Sequence, residues 1–452
     1  LTGTLSSAQT QAISTANIAA LGTAVASLTT ASLSTAQVAA LSTTQIGSLT
    51  GSLSTAQTQA ISAANIAALG TSVGSLTTAM LTTTQVGALT SVQVGSLTSN
   101  AVSPLSSTQI GALSTAAVAG LTLSGLNTAQ SQALTTKDIA ALGTSVGSLT
   151  TAMLSTAQVA AMSTAQLESL TGTLSSAQTQ AISTANIAAL GTNVAALTTA
   201  SLSTAQVAAL STTQIESLTT SLSTAQTQAI STTNIVALGT NVASLTTAML
   251  STSQVAAMQY TQIEALSGMT TAQTQALSTS TIQQMGTAVA SLTVGMLSTT
   301  EVAAMTTLQI ESLSNLSTAQ TQAISSTTIQ ALGTNVTSLT TSMLSTSQVA
   351  AMQYSQVALL VNGFTSSQMG ALTTLQAQNL STTELATGLS TGQIQGLTVT
   401  DLNSLTSDQV SNLNAAALTT TQIAGLNGTQ TGYLTSAQVS SLSTTQFSYL
   451  NL

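Results

Sequence analysis

The amino-acid sequence predicts an all-α chain, a solenoid-like stack of very short capped helices built from octads within a repeat of about 48 residues. Three observations carry that expectation. The phrase Leu-Ser-Ser/Thr-Ala-Gln-Thr-Gln-Ala-Ile-Ser begins at Leu5, Leu53, Leu174, Leu222 and Leu316, with relatives at Leu126 and Met269. Successive starts are 48, 73, 48, 48, 47 and 47 residues apart, and a fixed period of this size is the signature of a repeat architecture. Within the first copy, apolar markers fall at Leu5, Ile13, Leu21, Leu28, Leu33, Leu41, Leu49 and Leu53, so pairs of octads alternate with connectors. Finally, most octads carry the same helix-start signals in phase.

The octad Leu41-Ser42-Thr43-Thr44-Gln45-Ile46-Gly47-Ser48 shows the logic. Ser42 is a good N-cap, because its hydroxyl accepts from an orphan backbone N–H three residues on. Gln45 stands at N3, where its side chain reaches back to the cap N–H and completes a capping box, while Leu41 and Ile46 form the hydrophobic staple. A strand fails on parity, since Leu41 and Ile46 would point to opposite faces. Each helix then has about six residues, roughly 9 Å at 1.5 Å per residue. Helices that short do not persist alone in water. Stacking against neighbouring units must supply the rest, as in a solenoid. The alternative architecture is a β-solenoid, suggested by the Thr content.

The connector Gly22-Thr23-Ala24-Val25-Ala26-Ser27-Leu28 fits either another short helix or an extended crossing, and its Gly suits a helix C-cap. Four stretches follow from the repeat arithmetic. Residues 1–96 hold two repeats, and 97–125 hold inserted octads with the chain's one proline, Pro104, and the loop-like run Thr98-Ser99-Asn100. Residues 126–363 are regular repeats, and 364–452 are degenerate C-terminal repeats or a cap. The opening Leu1-Thr2-Gly3-Thr4 reads like the end of a repeat, which suggests part of a longer protein or an export signal placed elsewhere; no signal peptide is visible.

Composition excludes most enzyme chemistry. Of 452 residues only 2% are charged, against about 25% in an average soluble domain. There is no His and no Cys, hence no Ser–His–Asp or Cys–His nucleophile system, zinc site, iron–sulfur cluster or His-ligated haem. Lys137 is the only cationic side chain and reads as an exposed charge at a helix start. The net charge of −8 argues against nucleic-acid binding. Ser, Thr or Gln interrupts every apolar run, so no transmembrane helix is expected. No cofactor and no catalytic residue are indicated.

Glu168, Glu216, Glu264 and Glu311 occupy one octad position and form a candidate carboxylate row for divalent metal. Calcium wants six to eight oxygens from a compact loop, so a solubilising stripe is the stronger reading. Most of the nine carboxylates read as exposed. Tyr260 and Tyr354 are equivalent and read as local packing, with Gln259 and Gln353 in place of the capping Ser. Tyr433, Phe447 and Tyr449 suit a terminal cap, docking end or export signal. Met153, Met249, Met296 and Met343 recur at one position and read as core gap-fillers. Asn315, Asn335, Asn379 and Asn427 begin Asn-x-Ser/Thr sequons, a pattern chance produces readily in so Ser/Thr-rich a chain.

The run from Leu33 to Ile46, Leu-Ser-Thr-Ala-Gln-Val-Ala-Ala-Leu-Ser-Thr-Thr-Gln-Ile, resembles the low-complexity tandem repeats of large bacterial surface and adhesin-type proteins. The resemblance covers nearly the whole chain, rests on composition and repeat style, and carries over no functional residue. It implies an extracellular or cell-surface place. The expected function is structural: a non-catalytic repeat protein that builds a fibre, sheath or lattice with copies of itself as partners. The alternative is an adhesin stalk or a Thr-array module binding cell-surface glycans or ice.

Overall fold

The computed structural model describes residues 5–49, 52–98, 105–218 and 222–450. The structure is 69% helical, and no strand forms among the described residues. Among the described residues the only β pairing is an isolated bridge between Thr150 and Thr171. The helical reading holds, and the β-solenoid does not. The chain divides into two compact units, Leu1–Ile230 and Ser231–Leu452. Their boundary falls inside the stretch of regular repeats, away from the divisions drawn from sequence.

The first repeat sets the pattern for the rest. Helices Ser7–Gln11 and Thr15–Ala20 are followed by 3₁₀ segments Gly22–Ser27 and Thr30–Ser32, then by helices Thr35–Ala39 and Thr43–Ser48. The open connector is therefore 3₁₀, entered through Gly22 at φ +55°. That left-handed position just past a helix end is where glycine is cheapest. Ser34 and Ser42 each accept from the N3 backbone N–H, and the Gln37 and Gln45 side chains each accept from the cap N–H, so both capping boxes close. The staple residues beneath them, Leu33, Val38, Leu41 and Ile46, are all buried.

The 48 residues make two turns of the solenoid, not one. Bonds between coils span 24 and 27 residues, from Gln37 to Ile13 and Thr10 and from Gln57 to Leu33 and Thr30, so each coil takes about 24 residues and the repeat two (2 × 24 = 48). The first coil closes on the 3₁₀ segment Gly22–Ser27, and the second opens on Thr30–Ser32. Val25, Ile18, Val38 and Ile66 of successive coils lie at 0% exposure. They form the seam against which these marginal helices are held.

In the insert, helices Ser107–Ile110 and Thr115–Val118 and the 3₁₀ turn Leu123–Gly125 add another coil. Thr98 closes helix Ser91–Thr98, whereas Ser99, Asn100 and Pro104 lie outside the described residues. Met153, Met249, Met296 and Met343 are half-buried, not core. Each ends a three-residue 3₁₀ turn at the coil's edge, and the Leu that follows takes the interior place. Deeply buried methionines lie elsewhere, at Met162, Met258, Met285, Met305, Met352 and Met369.

Candidate functional site

The capping glutamines form the most regular constellation in the chain, and they do more than close boxes. Gln37 accepts from the Ser34 N–H through Oε1 at 2.9 Å. Its amide nitrogen donates to the carbonyls of Thr10 and Ile13 in the preceding coil, both at 2.7 Å. Gln57 donates likewise to Thr30 and Leu33, and Gln85 to Thr58 and Ile61. Gln45 reaches Ile18, Ala19 and Gly22. Those carbonyls lie at or near the C-terminal ends of earlier helical segments, where intrahelical bonds run out; Thr10, Thr30 and Thr58 each already accept one backbone N–H there, from Ile13, Leu33 and Ile61. One side chain thus caps the start of its own helix and the end of another, one coil below. The whole valence of the amide is used, one acceptor and two N–H donors.

In the second unit the same stitch runs from Gln262 to Ile235 and Gly239, and on through Gln309, Gln356 and Gln422. These glutamines are at most 4% exposed. A shorter Asn at N3 still reaches one carbonyl, as Asn65 does to Leu41 and Asn186 to Met162.

Three acidic residues stand at N3 in place of Gln and are buried, against the expectation that most carboxylates are exposed: Asp138, Glu301 and Asp401. Burial follows from the slot, because the N3 side chain points between coils. Asp138 Oδ1 and Glu301 Oε1 are buried without a hydrogen-bond partner.

The candidate carboxylate row is laid out differently from its spacing in sequence. Glu168 and Glu264 are exposed, and Glu216 and Glu311 are half-buried. A step of 47 or 48 residues is two coils. At about 8–10 Å between packed helices, neighbours within a unit stand roughly 16–20 Å apart, beyond any shared ion. Glu168 Oε1 instead accepts from Asn193 Nδ2 at 2.8 Å, and Glu311 Oε1 from Asn335 Nδ2 at 2.9 Å. Among the described residues no three His, Cys, Asp or Glu side chains gather where a metal could sit. A chelator is therefore expected to leave the melting transition unmoved, and sodium chloride up to molar concentration to shift it little, since few charges exist to screen. Collapse on chelation, read by circular dichroism, would restore the row as a metal site.

Surface clefts recur where short connectors cross. One of about 710 Å³ lies between Leu49, Ser52 and Leu53 and the 3₁₀ residues Ser72, Ser75 and Leu76. Equivalent clefts of about 260 and 190 Å³ lie beside Leu170 and Leu197, and beside Leu266 and Leu292. Leucines line all three, with hydroxyls in the first and third and the bonded pair Glu168 and Asn193 in the second.

No protein-family model, curated protein or solved structure matches this chain.

The tyrosines correct another expectation. Tyr260 and Tyr354 are 37% and 55% exposed, not packed. Leu308 at 67% and Leu375 at 62% join them. All four occupy the first or second position of the second helix in their coils: Tyr260–Ala265, Thr307–Ser312, Tyr354–Leu360 and Thr374–Gln378. Helices Thr279–Gln284 and Ser326–Ala331 complete the column, linked by Gln309 to Ile282 and Gln356 to Ile329. The second positions of the other helix column in this unit, Ser253, Ala272, Thr300, Ala319, Ser347 and Ser367, are exposed but small. Sequence reasoning missed the stripe because the four residues share no repeat phase until the coil is known to be half the repeat. Tyr433, Phe447 and Tyr449 are also exposed, at 39%, 49% and 52%. No helix is long and apolar enough to cross a membrane among the described residues.

Of the sequon asparagines, Asn427 caps helix Gly428–Tyr433, Asn335 binds Glu311, Asn379 donates to the Leu375 carbonyl, and Asn315 takes a left-handed φ of +62°.

Proposed function

We propose that this chain is a non-catalytic structural protein that associates side by side with copies of itself into a fibre, sheath or lattice at a bacterial surface. The observation that carries the reading is the apolar stripe of Tyr260, Leu308, Tyr354 and Leu375 along one helix column of the second unit. Large exposed apolar side chains gathered on one face mark interaction surfaces, and the other column keeps to small residues. Little charge opposes the contact, with ten charged residues in 452. A surface repeated at fixed spacing also favours extended assembly over closed pairs. The extracellular setting is supported by the style of the repeats alone.

The test is sedimentation and electron microscopy of the full chain over rising concentration. The wild type is expected to assemble. The triple variant Leu308→Ser, Tyr354→Ser, Leu375→Ser should stay dispersed with an unchanged helical spectrum. Dispersed wild-type monomers at high concentration would overturn the reading.

A further inference from the structure

We propose that Glu301 joins its coil to the preceding one as a neutral carboxylic acid, donating its own proton to a backbone carbonyl where Gln348 and Gln206 use an amide. Glu301 is N3 of helix Thr299–Ala303. Its Oε2 accepts from the Ser298 N–H at 2.6 Å and from the Ser298 hydroxyl at 2.7 Å. Gln348, 47 residues on (348 − 301 = 47), does the same with Oε1 at Ser345. The other arm of Gln348 donates to Thr321 at 2.8 Å and Ile324 at 2.7 Å. Stepping back 47 residues, the equivalent carbonyls are those of Thr274 and Leu277, both buried. Glu301 Oε1 takes the place of that arm, and it is buried with no partner.

A carboxylate there sets an acceptor against acceptors, since an ionised carboxyl has no donor. Protonation turns Oε1–H into the donor the slot requires. Oε2 keeps both cap bonds, so the stitch is restored with one N–H replaced by one O–H.

Nothing charged is packed nearby to hold the ion. Helices Thr279–Gln284 and Thr318–Ala323 pack on Thr299–Ala303, and neither contains a titratable residue. Helix Thr271–Thr274, which bears the target carbonyl, has none either. The nearest along the chain, Glu311, lies on the next helix, half-buried and bonded to Asn335.

Burial raises the Glu301 carboxyl above its ordinary range, while the two Ser298 hydrogen bonds pull the other way. The sign follows. A folded-state value above the unfolded one means the folded chain holds the proton more tightly. The stabilisation is full below the unfolded carboxylate range, near pH 4.3, and is lost as pH rises through the folded value. This junction therefore loosens toward alkali, opposite to ordinary acid denaturation.

Two measurements on the full chain test it. With carbon-13 in the carboxyls of the six glutamates, the resonance that disappears in Glu301→Gln is expected to titrate above the ordinary carboxylate range. Amide exchange protection across 279–303 should rise in Glu301→Gln at pH 8 by roughly 5- to 150-fold, the equilibrium equivalent of relieving one buried unsatisfied group. Near pH 4 the two chains should match. Glu311→Gln should change neither. Titration in the ordinary range, or equal protection of both chains at pH 8, would overturn the proposal. Neither readout depends on assembly, so the proposal stands or falls apart from the self-association reading.

Discussion

Replacing Gln206 by alanine is expected to cost about 3–5 kcal/mol at a single coil junction. Loss of a capping box alone accounts for about 1–2 kcal/mol. Gln206 also donates to Thr179 at 2.7 Å and Ile182 at 2.8 Å, and is 1% exposed. Truncation leaves the Ser203 N–H and the Ile182 carbonyl without their partner, while the Thr179 carbonyl keeps the Ile182 N–H, and each buried unsatisfied group costs about 1–3 kcal/mol. Partial access of water offsets some of that sum. Hydrogen exchange resolved along the chain is the measurement to use, because a solenoid opens locally and one melting temperature averages over coils. A loss no larger than that of a Ser203→Ala variant would show that the inter-coil bonds contribute nothing beyond the cap.

Substituting Ile46 by alanine should cost about 2–5 kcal/mol, since the side chain is 5% exposed and its loss leaves a cavity in a thin core. A core only one layer deep has little material with which to collapse around the gap. The contrasting variant is Leu308→Ala. At 67% exposure it should fall within the roughly ±0.5 kcal/mol typical of surface changes, even though the deleted atoms are similar. Denaturant unfolding of both variants at low protein concentration, where copies do not associate, checks the pair. Equal effects would mean that the Leu/Ile/Val seam does not hold the coils.

The local physics was legible in the sequence. Ser42, Gln45, Leu41 and Ile46 each fill the role their spacing assigns, because caps and staples act within one helical turn. What happens between coils was hidden, since contacts at a separation of 24 or 27 residues leave no mark on an eight-residue pattern. One signal was available. A capping box accepts Glu as readily as Gln at N3, yet this chain chooses Gln almost throughout, and the amide both accepts and donates at any pH while an ionised carboxyl only accepts. Asp138, Glu301 and Asp401 break that preference, and all three are buried where an exposed charge was expected. The glutamate row shows the same limit: equal spacing in sequence does not give distance, and within a unit an entire coil stands between members 47 or 48 residues apart. The methionines recur faithfully, but recurrence fixes a position and not its depth.

The double-ended glutamine also bears on how such a chain finds its register. Each N3 Gln that bonds across coils is a plug and the helix end it reaches a socket, and these plugs and sockets are nearly identical from coil to coil. Gln206 meets its partners at 27 and 24 residues, Gln273 at 26 and 23, Gln109 at 31 and 28, and Gln393 at 32 and 29. The socket keeps its shape while the spacer stretches, so insertions of a few residues are absorbed without loss of the bond. The same indifference removes the usual penalty for pairing with the wrong neighbour. A plug one repeat out of place would find a socket as good as its own, with two coils looped out. Sequential folding, each new coil closing on the last while later sockets have yet to form, is the simplest way for such a molecule to avoid being wound incorrectly.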